Sequence, residues 1–278
     1  MISLIVSSNR PNYWSNFEKN FYCDLISEII FVGPINNSKK LDQRSKFIKS
    51  YFKPVQCLAQ GISKAKNNYF FFAPDDIYCS AETLDLYLRE SINNFKNKVI
   101  LVPRFFMDKR EMTNGLKFRE NDDFMIPVFS ILSKEIYEEI GGFDKNFIAV
   151  LYDIDFYLRL FYYKGFRSKL IKNFKIYELP QSVTKGNLSK DFWIKDRKFL
   201  DSLWVFEKKK GYIRNRPINS FEINSIDSRS QGSNVLRWSK NNNLFLLIND
   251  FFLVRIIRSL KNQIRDFLYS AKKKFLNE

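Results

Sequence analysis

The first hundred residues alternate short apolar runs with segments of helical spacing. The runs "ISLIVSS", "EIIFVG", "YFFFAP" and "KVILVPRFF" are typical of buried strands. The segments "YWSNFEKNFYCDLI", "CLAQGISKAK" and "SAETLDLYLRESINNF" between them indicate helices. Such alternation predicts an α/β fold with a mostly parallel sheet and helices on both of its faces.

Polar residues follow three of these predicted strands directly. Ser7 to Arg10 come after the first strand, Gly33 ends the second, and Asp75 and Asp76 follow the aromatic strand. Ligands of open α/β sheets bind beyond the carboxyl ends of the strands. Two adjacent carboxylates repel each other unless a cation lies between them, so the Asp pair indicates a binding site. A solvated turn is the alternative.

The absence of histidine limits the chemistry of any such site. The 278 residues contain no His and three widely spaced cysteines, Cys23, Cys57 and Cys79. Ser-His-Asp, Cys-His and His-ligated zinc mechanisms are therefore excluded, and a disulfide framework is not expected. Acid–base and metal chemistry must use carboxylates.

The charge of the chain predicts an anionic partner. The formal net charge is +16, which suits nucleic acid, a phosphate-rich substrate or a membrane surface. A hydrophobic fraction of 45% can fill a sizeable core, so the chain is not of the disordered class.

The second half of the chain divides into further segments. "FSILSKEIYEEIGGFDKNF" predicts a strand, a helix and a Gly-Gly stop, and "YDIDFYLRLFYYKGF" predicts a helix that Gly165 ends. The predicted organisation is a catalytic domain over residues 1–206, a polar linker or extension over 207–243 and a basic amphipathic helical tail over 244–278.

The order of these motifs resembles glycosyltransferase family 2, a group of GT-A fold enzymes that use nucleotide-sugar donors. "SSNRP" resembles the loop that holds the nucleotide, and "CLAQGISKAKNNYFFFAPDD" resembles the helix–strand unit that leads to the Asp-x-Asp strand end. "EEIGGFDKNF" resembles the Gly-Gly-Phe-Asp turn, and "YDIDFYLRLFYYKGF" resembles the helix that carries the catalytic base. The resemblance covers roughly the first 185 residues.

The resemblance implies a donor site with a divalent metal. Asp76 aligns with the metal-binding carboxylate, Asp75 with the variable middle position, and Pro74 replaces the family's first Asp. Mn²⁺ or Mg²⁺ would neutralise the diphosphate leaving group. The implied nucleotide-sugar-binding residues are Ser7, Ser8, Asn9, Arg10, Gly33, Gln60 and Asp75.

The resemblance also implies a general base and an acceptor side. Asp153 takes the position of the base that accepts a proton from the acceptor hydroxyl, although the family's Glu-Asp is here Tyr152-Asp153. Its alternative is a helix N-terminal carboxylate that serves the macrodipole. Asp155 could cap the helix or pair with Arg159, four residues on. The implied acceptor-side residues are Gly141, Gly142 and Asp144.

Three departures from the family concern its details. The second strand ends in Gly33, Pro34 and Asn36 where relatives often place an Asp toward the base. Glu178 and Gln181 are the nearest candidates for a His near the metal. "NVLRW" has Asn234 where processive relatives have Gln, so processivity is not predicted.

The tail combines an apolar face with positive charge. Residues 237–278 contain nine Lys and Arg against three Asp and Glu, a net of +6. Such a helix suits an anionic membrane surface, while packing on the domain or on a second subunit is the alternative. The sequence contains no run of roughly 18 uncharged apolar residues, so a membrane-spanning helix is not predicted. The expected location is cytoplasmic, with peripheral attachment to the inner face of the cell membrane as an option.

The resemblance therefore implies an inverting, metal-dependent glycosyltransferase. It would move a sugar from a nucleotide donor, with a UDP-sugar favoured, to a glycan or lipid-linked acceptor, by analogy in bacterial surface polysaccharide assembly. A nucleotidyltransferase is one alternative, although "SSNRPNYW" lacks the Gly-rich basic loop. A basic nucleic-acid-binding protein and an inactive, glycan-binding relative are the others. No nucleic-acid partner is expected.

Overall fold

The structure is a computed structural model of the whole chain. It describes residues 1–34, 41–107, 110–111, 127, 129–179, 190–207 and 211–214. Asn36, Gln181, Asn234 and the predicted tail over 244–278 lie outside these described residues.

The central sheet has five strands in the order β3-β2-β1-β4-β8. The first four run parallel, and β8 pairs antiparallel with β4. Their bounds are β1 (Ile2–Ser7), β2 (Ile26–Gly33), β3 (Ser45–Lys49), β4 (Tyr69–Pro74) and β8 (Ile131–Ser133).

Six helices and a short 3-10 turn (Pro11–Tyr13) accompany the strands. Among the described residues these helices are α1 (Trp14–Asn20), α2 (Pro54–Lys64), α3 (Ala81–Lys96), α4 (Lys134–Glu139), α5 (Tyr152–Lys164) and α6 (Lys190–Leu203).

Alternate residues of β1 enter two different cores. Ile5 belongs to a buried cluster with residues of α2, α4, α5 and α6, whereas Leu4 and Val6 belong to a second cluster with α1 and α3. Because successive side chains of a strand point to opposite faces, the sheet is covered on both sides. The predicted α/β architecture with helices on both faces is confirmed.

A second sheet of four strands starts directly after the Asp pair. Its order is β5-β9-β6-β7, with β6 parallel to β9 and the other pairs antiparallel. The main chain is tied across this point, because the Leu179 amide donates to the Asp76 carbonyl at 2.7 Å. The strands are β5 (Ile77–Cys79), β6 (Val99–Met107), β7 (Arg110–Glu111) and β9 (Arg167–Glu178).

The last described elements form an antiparallel ribbon. Strands β10 (Trp204–Glu207) and β11 (Gly211–Arg214) pair with each other, and the predicted boundary at residue 206 falls inside this ribbon. In the part of the chain that the structure describes, every helix is too short or too polar to cross a bilayer.

Candidate active site

The register of the central sheet brings the two polar strand ends together. Ser7 at the end of β1 lies beside Pro74 at the end of β4, because the two strands run parallel and in line. The residues that follow each strand, Arg10 on one side and the Asp pair on the other, therefore emerge at the same edge. This is the edge at which open α/β sheets bind ligands.

Arg10 lies between the two adjacent carboxylates. Its Nε donates to Oδ2 of Asp75 at 3.2 Å, and its Nη2 donates to Oδ1 of the same residue. Nη2 also pairs with Oδ2 of Asp76 at 2.9 Å. The cation that the repulsion between the carboxylates requires is, in this structure, a guanidinium of the chain itself.

Ser8 completes the environment of Asp75. Its hydroxyl donates to Oδ2 of Asp75 and accepts a hydrogen bond of 2.7 Å from Nε1 of Trp14. Asp75 is only 3% exposed, so both of its oxygens face the protein. Burial raises the pKa of Asp75, and the Arg10 guanidinium opposes that shift. Burial alone would lower the pKa of Arg10, but the two carboxylates outweigh it and raise the pKa.

Asp76 is the member of the pair that could bind a metal ion. The described residues include no group of three or more Asp, Glu or Cys side chains that could hold a metal by themselves. Mg²⁺, however, is commonly bound by one or two carboxylates together with substrate phosphates and water. Asp76, partly exposed at the strand end, can supply one such carboxylate. The residues thus fit a metal that binds together with a diphosphate.

Gly33 makes room for the loop after β1. A Cβ at this position would overlap the carbonyl oxygen of Ser8, so only glycine allows the two strand ends to approach. The Ser8 amide also donates to the Val32 carbonyl at 3.0 Å. Ser7 and Asn9 flank Ser8 in this loop, so six of the seven predicted donor residues lie at one edge, all but Gln60.

The predicted base, Asp153, lies in the first turn of α5. The residue before this helix, Leu151, has a left-handed backbone with φ of 63°. Oδ1 of Asp153 accepts a hydrogen bond of 3.0 Å from the amide of Ile154. Burial raises the pKa of Asp153 to about 6, against the opposing effect of that amide. A carboxylate with a pKa near neutrality can both ionise and accept a proton.

Asp155, two residues on, is part of the core. It pairs with Arg159, whose side chain is fully buried, at 2.9 Å, as the spacing of four residues indicated. Arg159 donates to the carbonyls of Ile140 and Gly142 at 2.7 and 2.6 Å, and Nε1 of Trp204 donates to Asp155 at 2.8 Å. This network ties α5 to the Gly-Gly turn and to β10.

The Gly-Gly turn is shaped by its own packing. Gly141 and Gly142 have φ of 89° and 70°, and a Cβ on Gly142 would lie 2.9 Å from the ring of Tyr137. Oδ1 of Asp144 accepts from the amide of Asn146 at 2.9 Å. These contacts account for the three residues within the turn, and no described contact joins them to Arg10.

Gln60 borders a pocket between α2 and the Gly-Gly turn. The pocket has a volume of about 420 Å³ and is also lined by Gln56, Tyr137, Gly141 and Gly142. Within the described residues, Oε1 of Gln56 and Oε1 of Gln60 are buried and accept no hydrogen bond. Gln60 therefore lies with two predicted acceptor-side glycines, and it makes no described contact with the Arg10 cluster.

Several residues near the site have no sequence motif that predicts a functional role. Trp14 lies in a segment that is predicted only to be helical, yet its indole nitrogen donates a hydrogen bond to Ser8. Asp196 and Trp204 lie beyond the segment with family resemblance. Asp196 could have been noticed, since it shares the helical spacing of the buried Leu200 and Leu203.

Comparisons with known proteins identify the fold. No protein-family model and no curated protein matches the sequence. Among solved structures, GalNAc-T7 with UDP, GalNAc and Mn²⁺ matches with a TM-score of 0.50 and 8% identity, over 64% of this chain and 44% of that one. S. aureus TarS matches with a TM-score of 0.47 and 11% identity, over 73% and 39%. A TarS fragment, 1–349, in complex with UDP has a TM-score of 0.45 at 10% identity, over 72% and 70%.

GalNAc-T7 is a glycosyltransferase, and the chain shares its GT-A-like fold. At 8% identity the match to GalNAc-T7 shows the fold alone. The chain spans less than half the length of GalNAc-T7 and of full TarS, with 44% and 39% of their residues covered.

Proposed function

We propose that this protein is a glycosyltransferase of the family 2 type, which transfers a sugar from a nucleotide donor to a hydroxyl acceptor with inversion. The observation that carries the proposal is the cluster at the ends of β1 and β4, where Arg10 bridges Asp75 and Asp76. It combines a cation for phosphate with a carboxylate for metal at the ligand-binding edge of a GT-A-like sheet. A UDP-sugar is the favoured donor.

On the donor side, each charged residue has a separate task. Asp75 is buried and holds the guanidinium in place through two hydrogen bonds. Arg10 would bring a guanidinium charge to the diphosphate, since arginine is a common partner of phosphate groups. Asp76 would bind Mn²⁺ or Mg²⁺ together with the diphosphate. When bound, the metal neutralises the charge that develops on the leaving diphosphate.

On the acceptor side, Asp153 would act as the general base. It accepts the proton of the acceptor hydroxyl while that oxygen attacks the anomeric carbon and the bond to the diphosphate oxygen breaks. Attack from the face opposite the leaving group inverts the configuration. The pKa of Asp153, raised by burial to about 6, leaves it ionised at pH 7 and basic enough to accept the proton.

The wider setting is proposed by analogy with the family that the sequence resembles. The acceptor would be a glycan or a lipid-linked sugar in bacterial surface polysaccharide assembly. The basic tail over 244–278 would hold the enzyme at the inner face of the cell membrane or in a homo-oligomer. The net charge of +16 is consistent with anionic substrates or lipids.

Ligand-induced stabilisation tests the proposal. We would measure the melting temperature with a panel of nucleotide sugars, with and without Mn²⁺. A ligand at one hundred times its Kd stabilises the native state by about 2.7 kcal/mol. We expect a UDP-sugar with Mn²⁺ to give the largest increase in melting temperature. A second assay would then detect the transferred sugar in the presence of candidate acceptors.

A matched pair of arginine variants controls for charge. Arg10→Gln should lose the ligand-induced increase in melting temperature, measured against the melting temperature of the same variant without ligand. Arg89→Gln removes the same charge from an exposed i,i+4 pair with Asp85 and should retain the increase. Stabilisation by random RNA but by no nucleotide sugar would contradict the proposal and favour the nucleic-acid-binding alternative.

A further inference from the structure

A buried carboxylate from α6 binds the segment that leads to the predicted base. Oδ1 of Asp196 accepts a hydrogen bond of 2.7 Å from the amide of Ile148. Its Oδ2 accepts from the amides of Ala149 and Val150 at 2.8 and 2.9 Å. Asp196 is 2% exposed, and besides these three main-chain donors the Lys53 ammonium interacts with its carboxylate. Successive amides that converge on one anion form a concave binding site of the type known as a nest.

The segment that Asp196 binds ends in a strained residue. Leu151 follows Val150 directly and has φ of 63°, in the left-handed region that a branched side chain rarely adopts. Such a conformation costs roughly 1–3 kcal/mol and persists only where the surroundings enforce it. Asp153 lies two residues further on. The orientation of its carboxylate therefore depends on a backbone that must be held from outside.

Helix α6 is well placed to enforce it. Leu200 and Leu203 bury the helix against the main core, and Phe199 packs edge-on against Phe147 with ring centroids 4.8 Å apart. On the other side, the segment is tied to α2 by a 3.4 Å hydrogen bond from the amide of Val55 to the carbonyl of Ile148. The anchor is therefore part of the rigid core.

We propose that Asp196 is a positioning residue for the transfer reaction, which fixes residues 148–151 and thereby the direction in which Asp153 faces the acceptor. The inference rests on the proposed function for its catalytic consequence. Its effect passes through Asp153 and leaves the donor site unchanged, because Arg10, Asp75 and Asp76 belong to the loops after β1 and β4.

The variant Asp196→Asn tests the proposal with three measurements on the full chain. The NH₂ group of the asparagine cannot accept hydrogen bonds, so at least one of the main-chain amides of residues 148–150 loses its acceptor. Hydrogen exchange should accelerate at the amides of 148–150, and kcat should fall by between about tenfold and a hundredfold. The affinity for UDP should stay within about twofold of wild type. Asp201→Asn, which breaks an exposed pair with Arg197 on the same helix, should change none of these.

A double-variant cycle separates positioning from general loosening. If Asp196 acts through Asp153, then Asp196→Asn should cost little further activity in an Asp153→Asn background. Equal losses in both backgrounds, or a parallel loss of UDP affinity, would overturn the proposal. Should Asp196→Asn fail to fold, Asp196→Glu, which keeps the charge but displaces the carboxylate from the three amides, replaces it in the same cycle.

The failure of this inference is distinguishable from that of the proposed function. If the wild-type protein transfers no sugar from any nucleotide donor, the proposed function fails, and the catalytic role of Asp196 fails with it. If wild type is active and Asp196→Asn exchanges faster at 148–150 but keeps its kcat, the hydrogen bonds exist and only the positioning role is wrong.

Discussion

The two halves of the candidate site treat their carboxylates differently. On the donor side, Asp75 and Asp76 share the guanidinium of Arg10. On the acceptor side, Asp153 has no ion pair among the described residues, because Arg159, the arginine on its own helix, is bound to Asp155. A guanidinium thus opposes the effect of burial on the pKa of Asp75, whereas only backbone amides oppose the effect of burial on the pKa of Asp153.

This difference supports the separate roles proposed for the two sets of carboxylates. A carboxylate pair that shares a guanidinium suits binding of a cation or of the phosphates that a cation accompanies. A carboxylate whose pKa is raised to about 6, with no ion pair among the described residues, suits proton transfer near neutral pH. The roles proposed for these identical functional groups differ because their environments differ, and each role can be tested by itself.

The largest expected effect is on the acceptor side. Asp153→Asn keeps the shape of the side chain but cannot accept a proton, so kcat should fall by about a hundredfold or more. UDP affinity, measured by calorimetry, should remain near that of wild type because the Arg10 cluster is untouched. Turnover within a few-fold of wild type would remove Asp153 from the role of base.

The donor side should show the opposite pattern. Asp76→Asn removes the carboxylate that fits a metal, so the increase in UDP affinity on addition of Mn²⁺ should fall by about tenfold or more. Calorimetric titration of UDP with and without Mn²⁺ measures it. If the Asp76 variant retains the full Mn²⁺-dependent increase, the metal assignment is wrong.

Asp75→Asn provides the matched control for Asp76. Because Asp75 is buried and holds Arg10 and Ser8, its amide should lower the free energy of unfolding by about 1–3 kcal/mol. Its effect on the Mn²⁺-dependent increase should be smaller than that of Asp76→Asn. Denaturant unfolding of both variants measures the contrast.

The two sides also differ in how far the sequence could predict them. The donor cluster follows from two strand ends, since parallel strands in register bring Ser8 and Asp75 together. The repulsion between two adjacent carboxylates predicted a cation, but not that Arg10 would supply it. Which side chain fills a charged gap depends on loop geometry, and strand periodicity does not encode it.

The acceptor side could be predicted only in part. The spacing of four residues made a pair between Asp155 and Arg159 one of two options, and the structure contains this pair. The prediction that Gly165 ends a helix is confirmed. The contacts of Trp204 and Asp196 with this region span 49 and 48 residues of the chain, respectively. Long-range contacts of this kind leave no local pattern, so α6 and its anchor were missed.

The pH dependence of turnover is the next expected effect. With a pKa of about 6, Asp153 is mostly ionised at pH 7 and mostly protonated at pH 5. Turnover should therefore fall by about tenfold between pH 7 and pH 5. The pH dependence of stability has the opposite sign. Because the raised pKa favours protonation of Asp153 in the native state, the contribution of Asp153 to the free energy of unfolding is present at low pH and is lost as the pH rises through about 6. The residual activity of Asp153→Asn should lack the acidic limb of the profile.

The smallest expected effect concerns the turn that joins the acceptor side to the core. Gly142→Ala forces a side chain into a backbone with φ of 70° and places its Cβ 2.9 Å from the ring of Tyr137. Gly165→Ala is the matched control, because it has nearly the same φ, 67°, and open space around its Cβ. Backbone strain alone should cost each variant roughly 1 kcal/mol of unfolding free energy, and the contact with Tyr137 should add to the cost at Gly142.

The comparison of the two variants isolates packing from backbone strain. Because the carbonyl of Gly142 accepts from Arg159, a shift of this turn should also loosen the network around Asp155 and lower kcat by a few-fold. Gly165→Ala should leave kcat unchanged, and both variants should bind UDP as wild type does. Equal losses of stability in the two variants would show that the ring of Tyr137 moves aside freely, so that the acceptor side is less tightly packed around this turn than its contacts indicate.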